Sequence, residues 1–329
     1  MTISGPRTTD AGRSPRAKGQ PAGSLPPKPP SGGPLNVAPH AHRDRWYLCD
    51  RSYVRGKRRH YIRGHFGAHR PTLYAPEIRA GRAEEVLPGL DAESFDLIYL
   101  DPPYGTTAAG WDRAPEWIWL GRETGRLLKP TGQVVLHGAG TMAVTAAAAF
   151  MESLAHRFEF VWVKARPDGP VRSTPWVGDH QPLRAHEIVH VFKRWDAKTS
   201  ALTFNLAAIH RRGAPYRSVK HGGPSFHRKS YYGGVCDSDG WRSPVDVIFA
   251  EPRRDGDLFA AKPEELSALL IATLTNPGDL ILDPYAGSGT TLQAAYRLGR
   301  RSLGVESNPA VWPLLQRNTG GLRGTTEAP

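Results

Sequence analysis

Cysteine is almost missing from this chain, with Cys49 and Cys236 the only two among 329 residues. Two distant cysteines build neither a disulfide framework nor a thiolate metal cluster, and they fit a reducing, cytosolic setting. No apolar run approaches the roughly 20 residues that span a bilayer, and no signal-peptide pattern opens the chain, so no membrane partner is expected. Acids are outnumbered, 31 Asp and Glu against 43 Lys and Arg, which leaves a net charge of +12. The excess is uneven. Residues 1–40 carry five basic residues and one acid, residues 41–80 ten and three, and everything from Gly81 onward nets only +1. A near-neutral body with a strongly basic N-terminal quarter fits contact with a polyanion, and the alternative is a solubilising tail.

Apolar residues are also scarce in residues 1–40, where Pro, Gly and Ser surround Pro26-Pro27-Lys28-Pro29-Pro30. With little to offset ordering entropy, this stretch is expected to be disordered. Residues 41–75 form a basic, aromatic arm in which Arg58 and Arg59 lie among Trp46, Tyr47, Tyr53, Tyr61 and Phe66. Cations neutralise phosphates and rings pack on sugar or base, so the arm is a candidate nucleic-acid contact. Its four histidines and Cys49 lack a metal-ligand spacing, and no metal is expected. A second basic and aromatic stretch lies within residues 196–245, where Arg211, Arg212, Arg217, Lys220, Arg228 and Lys229 stand among Tyr216, Phe226, Tyr231, Tyr232 and Trp241. Loop-rich insertions into a catalytic sheet commonly carry specificity, although a solvated surface excursion would look the same.

Regular pattern occupies the rest. The run Asp96-Leu97-Ile98-Tyr99-Leu100 reads as a buried strand, stopped by Asp101-Pro102-Pro103-Tyr104 because proline cannot continue a ladder. A carboxylate, a rigid carbonyl and an aromatic ring therefore stand at the carboxyl edge of a strand, where open α/β sheets bind ligands. Around it the pattern predicts a strand and helix over 78–90, a helix over 114–128, a strand over 133–137 and a helix over 142–154. Strands over 158–164 and 187–193, joined without a helix, are expected to form a hairpin-like edge. Downstream come a helix over 263–275, a strand over 279–283, a helix over 290–298, a strand over 302–306 and a last helix. The alternation predicts an α/β fold with a doubly wound, mostly parallel sheet.

Asp283-Pro284-Tyr285-Ala286-Gly287-Ser288-Gly289-Thr290-Thr291 places a glycine turn between a strand and a helix. Such a turn allows close ligand approach, and the helix N-terminus favours an anionic group. Glu306, about 20 residues on, ends the next strand and is placed to accept ribose hydroxyls, which points to an adenosine-containing cofactor.

Together these stretches resemble the permuted, beta-type S-adenosylmethionine-dependent DNA amino-methyltransferases, over about Gly81 to Pro309. Asp101-Pro102-Pro103-Tyr104 is similar to that family's catalytic motif, the Asp283–Thr291 loop to its cofactor loop, and Gly304-Val305-Glu306 to its ribose-binding strand. Leu127-Leu128-Lys129-Pro130, His186-Glu187, Pro244-Val245-Asp246-Val247-Ile248 and Lys262-Pro263 are similar to supporting motifs. Arg82 stands where the family usually has Asp, and Leu258 where it has His. The resemblance implies a Rossmann-like methyltransferase fold with an inserted target-recognition region. It divides the chain into a disordered tail (1–40), a basic arm (41–75), a catalytic half (76–195), a target-recognition insertion (196–245), a cofactor half (246–318) and a flexible tail (319–329). It implies catalytic Asp101, Pro102, Pro103 and Tyr104, and cofactor-binding Asp283, Tyr285, Ala286, Gly287, Ser288, Gly289, Thr290, Thr291, Glu306 and Lys262. The substrate implied is double-stranded DNA, methylated at adenine N6 in a flipped-out base; cytosine N4 and a non-catalytic DNA-binding scaffold are the alternatives. A nucleoid-associated location, a homodimer and a cognate restriction endonuclease are compatible with the family.

Overall fold

The computed structural model describes residues 72–106, 112–166, 182–209, 244–252 and 261–322, the single positions 110 and 170, and the backbone of short strands within 52–61 and 211–242. The expected tail at 1–40 lies outside the described residues, as do residues 323–329 at the C-terminal end.

Eight strands form one sheet: β1 (Glu77–Ala80), β2 (Phe95–Leu100), β3 (Leu128–Gly138), β4 (Ala155–Val163), β5 (His186–Lys193), β6 (Val247–Phe249), β7 (Leu280–Asp283) and β8 (Arg301–Glu306). Their order is β6-β4-β5-β3-β2-β7-β8-β1, with only the β4–β5 and β5–β3 pairs antiparallel. The helices are α1 (Ala83–Val86), α2 (Trp117–Leu127), α3 (Gly140–Phe150), α4 (Glu264–Leu274), α5 (Thr290–Arg297) and α6 (Trp312–Thr319). Among the described residues no helix is long and apolar enough to cross a membrane.

The central strand explains the layering. In β2, Ile98 and Leu100 join Leu120, Leu127, Ala146 and Phe150 of α2 and α3 in one core. Leu97 and Tyr99, on the other face, join Leu266, Leu270 and Ile271 of α4 in the second core. A strand buried on both faces reads as a continuous apolar run, which is why the pattern of residues 96–100 shows no polar alternation. Burial of this kind stabilises by about 1.5–3 kcal/mol per large side chain.

Two expectations change. Strands β4 and β5 do pair antiparallel, but they are not the edge. The outer side of β4 is taken by β6 in parallel, where Val161 N–H also reaches the Asp246 carbonyl at 2.8 Å. Strand β3 starts at Leu128 rather than Gln133. Leu128 pairs with Phe95 and Gln133 with Leu97, so residues 129–132 are a bulge inside the ladder. Pro130 and Gly132 lie within this interruption, and the register recovers beyond them.

The sheet reverses direction between its two central strands. From β2 the chain proceeds to β3 on one side, and from β7 to β8 on the other, while β2 and β7 pair in parallel. Their carboxyl ends, Leu100-Asp101 and Asp283-Pro284, therefore open side by side at a topological switch point, the ligand position of open α/β sheets.

Candidate active site

Asp101 follows β2 directly, and the buried Pro102 ends the ladder. The turn is closed from below by Asp112, 7% exposed, whose carboxylate accepts the Gly105 and Thr106 N–H groups at 2.8 and 2.9 Å. Two charge-assisted bonds to successive amides fix the Pro102-Pro103-Tyr104 backbone more firmly than the prolines alone can.

Four charged groups from four places in the sequence converge on this turn. Lys262, just before α4, places Nζ 2.7 Å from Asp101 Oδ1 and 3.3 Å from Glu187 Oε2. Lys164, just after β4, places Nζ 2.7 Å from the other Glu187 oxygen. The Tyr104 hydroxyl lies 3.2 Å from Asp101 Oδ1 and 3.1 Å from Glu187 Oε2, able to donate its one hydrogen to either. Trp162 and Tyr104 form the walls: Lys262 Nζ lies 5.3 Å from the Tyr104 ring centre and 5.9 Å from that of Trp162. Two lysines and two carboxylates leave the cluster formally neutral, which lets it persist with little water.

The electrostatics follow from that pairing. Burial alone would raise the Glu187 carboxyl, but Lys262 and Lys164 outweigh it and hold the group down at about 2. Burial disfavours the Lys262 ammonium, yet Asp101 and then Glu187 raise its pKa above the ordinary lysine value. Burial raises Tyr104 well above its usual range, reinforced by Glu187 and Asp101, so its hydroxyl keeps its hydrogen. Behind the cluster, His137 Nε2 and Tyr99 Oη are 2.8 Å apart, and Tyr99 Oη and Ser267 Oγ 3.1 Å apart. Burial lowers His137 to about 4, so its ring is neutral at physiological pH.

The second half of the site is the loop between β7 and α5. Gly289, the residue before α5, has φ +83, and a Cβ there would stand 2.8 Å from Leu315 Cδ1, so only glycine fits. Glu306, 9% exposed, accepts the Gly287 N–H at 2.8 Å through one oxygen and the Asn308 N–H at 2.6 Å through the other. These bonds aim the carboxylate across the glycine turn. The Ala286 N–H donates to the Val305 carbonyl at 2.9 Å, and Ser288 Oγ lies 3.1 Å from Thr290 Oγ1. Thr290 and Thr291 are buried in the first turn of α5. Asp283 accepts the Tyr285 N–H at 3.0 Å. Burial pushes its carboxyl up to about 7 despite bonds from Thr291 and Tyr285. Tyr285 Oη is buried with no hydrogen-bond partner among the described residues.

Asp101, Pro102, Pro103 and Tyr104 thus gather at the end of β2, and Asp283–Thr291 with Glu306 at the neighbouring ends of β7 and β8. Lys262, which the resemblance groups with the cofactor loop, places its ammonium on the Asp101 carboxylate. Sequence reasoning missed Lys164, Trp162 and Asp112, and gave Glu187 no role. The His186-Glu187 motif was the available signal, and an acid shortly after a Pro-Pro turn was the other. Of the candidate nucleic-acid contacts, Arg58 and Arg59 lie on a strand paired with Ser52–Arg55, and Arg211 and Arg212 on one paired with Trp241–Arg242. Arg217 and Lys220 lie on a strand paired with Gly234–Ser238, and Arg228 and Lys229 on one paired with Gly223–Ser225. Of these side chains only that of Arg217 is among the described ones, and it is exposed.

Comparison with known proteins agrees with this geometry. Residues 95–317 match the family of N6/N4 DNA methylases. The chain is 26% identical over 256 residues to the type II methyltransferase M.HinfI of Haemophilus influenzae, covering 70% of this chain and 64% of that protein. It is 26% identical over 263 residues to the DNA adenine methyltransferase YhdJ of Escherichia coli K12, covering 72% and 81%. It thus spans just under two thirds of the first relative's length. Among solved structures, the cytosine-N4-specific PvuII DNA methyltransferase shares the fold with a TM-score of 0.53 at 16% identity, over 78% of this chain and 91% of that one. M1.HpyAVI does so with a TM-score of 0.50 at 19% identity, over 74% and 98%. With the match to residues 95–317 spanning both the Asp101 turn and the Asp283 loop, the chain belongs to the family of N6/N4 DNA methylases.

Proposed function

We propose that this protein transfers the methyl group of S-adenosylmethionine to the exocyclic N6 amine of adenine in DNA, acting on a base turned out of the duplex. The observation that carries the reading is the adjacency of the Asp101 turn and the Asp283 loop at paired strand ends.

The β7–α5 loop fits the cofactor on its own chemistry. Glu306 is held by two backbone amides with acceptor capacity remaining for a ribose diol. Asp283 is a buried carboxyl without a cationic partner among its principal influences, suited to a ligand that carries positive charge. Tyr285 Oη is a buried polar atom with no partner among the described residues. S-adenosylmethionine, when bound, supplies an electrophilic sulfonium methyl group.

The chain's own residues supply the rest. A base amine is a poor nucleophile because its lone pair is delocalised into the ring. The Asp101 carboxylate and the Pro102 carbonyl each accept one N–H, which localises that lone pair on nitrogen. The same fixed acceptors stabilise the positive charge that grows there, and Asp101 is placed to take the proton released. Tyr104 offers a ring face for stacking, as base-flipping enzymes require. The Lys262 ammonium donates to Asp101 Oδ1 at 2.7 Å and lies 3.3 Å from Glu187 Oε2, so it holds the carboxylate in place through one oxygen while the group keeps acceptor capacity for the amine.

Adenine is favoured over cytosine because the turn opens with Asp101 and because YhdJ, named as an adenine methyltransferase, is similar over 72% of the chain. DNA methylated by the purified protein, digested to nucleosides and weighed, is expected to contain N6-methyldeoxyadenosine. N4-methyldeoxycytidine alone would overturn the choice of base, and no methylated nucleoside would overturn the reading.

A further inference from the structure

We propose that His156, Glu159 and His190 form a binding site for a divalent first-row transition-metal cation of zinc type, remote from the methyl-transfer chemistry and bridging β4 and β5.

The site depends on an irregularity in the ladder. Residues three apart in a regular strand point to opposite faces of the sheet. His156 pairs with Phe192 and Phe158 with Val191, so one extra residue is bulged out of β4 between them. The bulge turns His156 onto the face that carries Glu159, while Phe158 packs with Phe160 and Phe204 on the other. Glu159 stands directly opposite His190 in the register. Bulges commonly re-aim a single side chain in this way.

The resulting spacing suits a metal. His156 Nε2 is 3.3 Å from His190 Nδ1 and 3.5 Å from Glu159 Oε2, and the three ligand atoms all lie within 4.8 Å of one another. Ligand atoms about 2.0–2.1 Å from a tetrahedral cation stand roughly 3.3–3.4 Å apart, so two of the three edges already match. The third closes by rotation of Glu159, whose side chain is 51% exposed. Both imidazoles rest on the Phe192 ring, with centroids 5.3 and 6.0 Å away, which fixes their planes. His190 Nδ1 faces His156 Nε2, while its Nε2 is buried with no hydrogen-bond partner among the described residues.

A cation here would tie together the ladder in which Trp162 pairs with Glu187, the pair that walls and supports the Asp101 cluster. Its role is therefore structural, with water completing the coordination.

Cobalt(II) titrated into the full chain tests this directly, because tetrahedral cobalt is visible by its d–d absorption. The expected result is an absorbing equivalent that zinc displaces, lost in the His156→Ala/His190→Ala variant. That variant keeps the chain's other histidines and both cysteines, so the difference isolates this site. Glu159→Gln, a change at an exposed position, is expected to fold normally and bind cobalt roughly tenfold or more weakly. Zinc is expected to raise the melting temperature of the parent and not that of the double variant. An identical cobalt spectrum in parent and double variant, or none in the parent, would overturn the proposal.

Discussion

Lys262 shows how a single side chain can belong to two parts of a site. Sequence position beside Pro263 groups it with the cofactor half, yet it is only 10% exposed and bonds to Asp101 and Glu187. Removing one member of a buried ion-pair cluster leaves its partners uncompensated, typically at a cost of about 3–5 kcal/mol. Asp101 is partly exposed, so the lower end applies, and Lys262→Met is expected to lower stability by about 3 kcal/mol in a denaturant titration. A change under 1 kcal/mol would mean that the cluster is far wetter than its burial indicates. Asp283 makes the second residue-scale prediction. It takes up a proton near pH 7 when folded, against 3.8 ordinarily, so the folded state binds that proton more tightly. Its protonation therefore favours folding at low pH, and this contribution is lost as pH rises from about 4 to about 7. Asp283→Asn has no such proton, so its melting temperature should climb relative to the parent's across that window. Parallel melting curves would contradict the burial assigned to this carboxyl.

At the scale of elements, the chain announces its site-bearing strands clearly. Strands β2, β7 and β8 begin within a residue of where the apolar runs place them, because Pro102, Pro284 and Gly299-Arg300 mark their limits in sequence. The Asp101 turn and the Asp283 loop were legible for the same reason: each is a local strand ending. What was not legible came from distant strands meeting. Glu187 and Lys164 face Asp101 only because β5 enters antiparallel between β3 and β4, and no local pattern states that. The His156–Glu159–His190 cluster was hidden more deeply, since a one-residue bulge decides which face His156 takes. Asp112 is an element-scale part of the same kind, tying the turn after β2 to the approach to α2. The two amides it binds, Gly105 and Thr106, are exposed and can turn to water. Asp112→Ala is accordingly expected to unfold at nearly the parent's temperature while methyl transfer falls at least tenfold. Full activity in that variant would show that the prolines alone hold the turn.

For the whole molecule, the governing feature is one sheet with two openings at its reversal point. The proposed cofactor loop and the proposed acceptor turn follow neighbouring strands, β7 and β2, so one can be damaged while the other stays intact. The basic N-terminal quarter, and residues 211–242 with seven Lys and Arg against two Asp, carry charge suited to DNA, while residues 81–329 taken together net only +1. The measurement that tests this division most directly pairs S-adenosylmethionine binding with methyl transfer in Asp101→Ala. Binding within a few-fold of the parent, together with loss of methylated nucleoside from the treated DNA, is the predicted result. Methylation near the parent's level would contradict the assignment of Asp101 as the amine's acceptor and, with it, the account of the site.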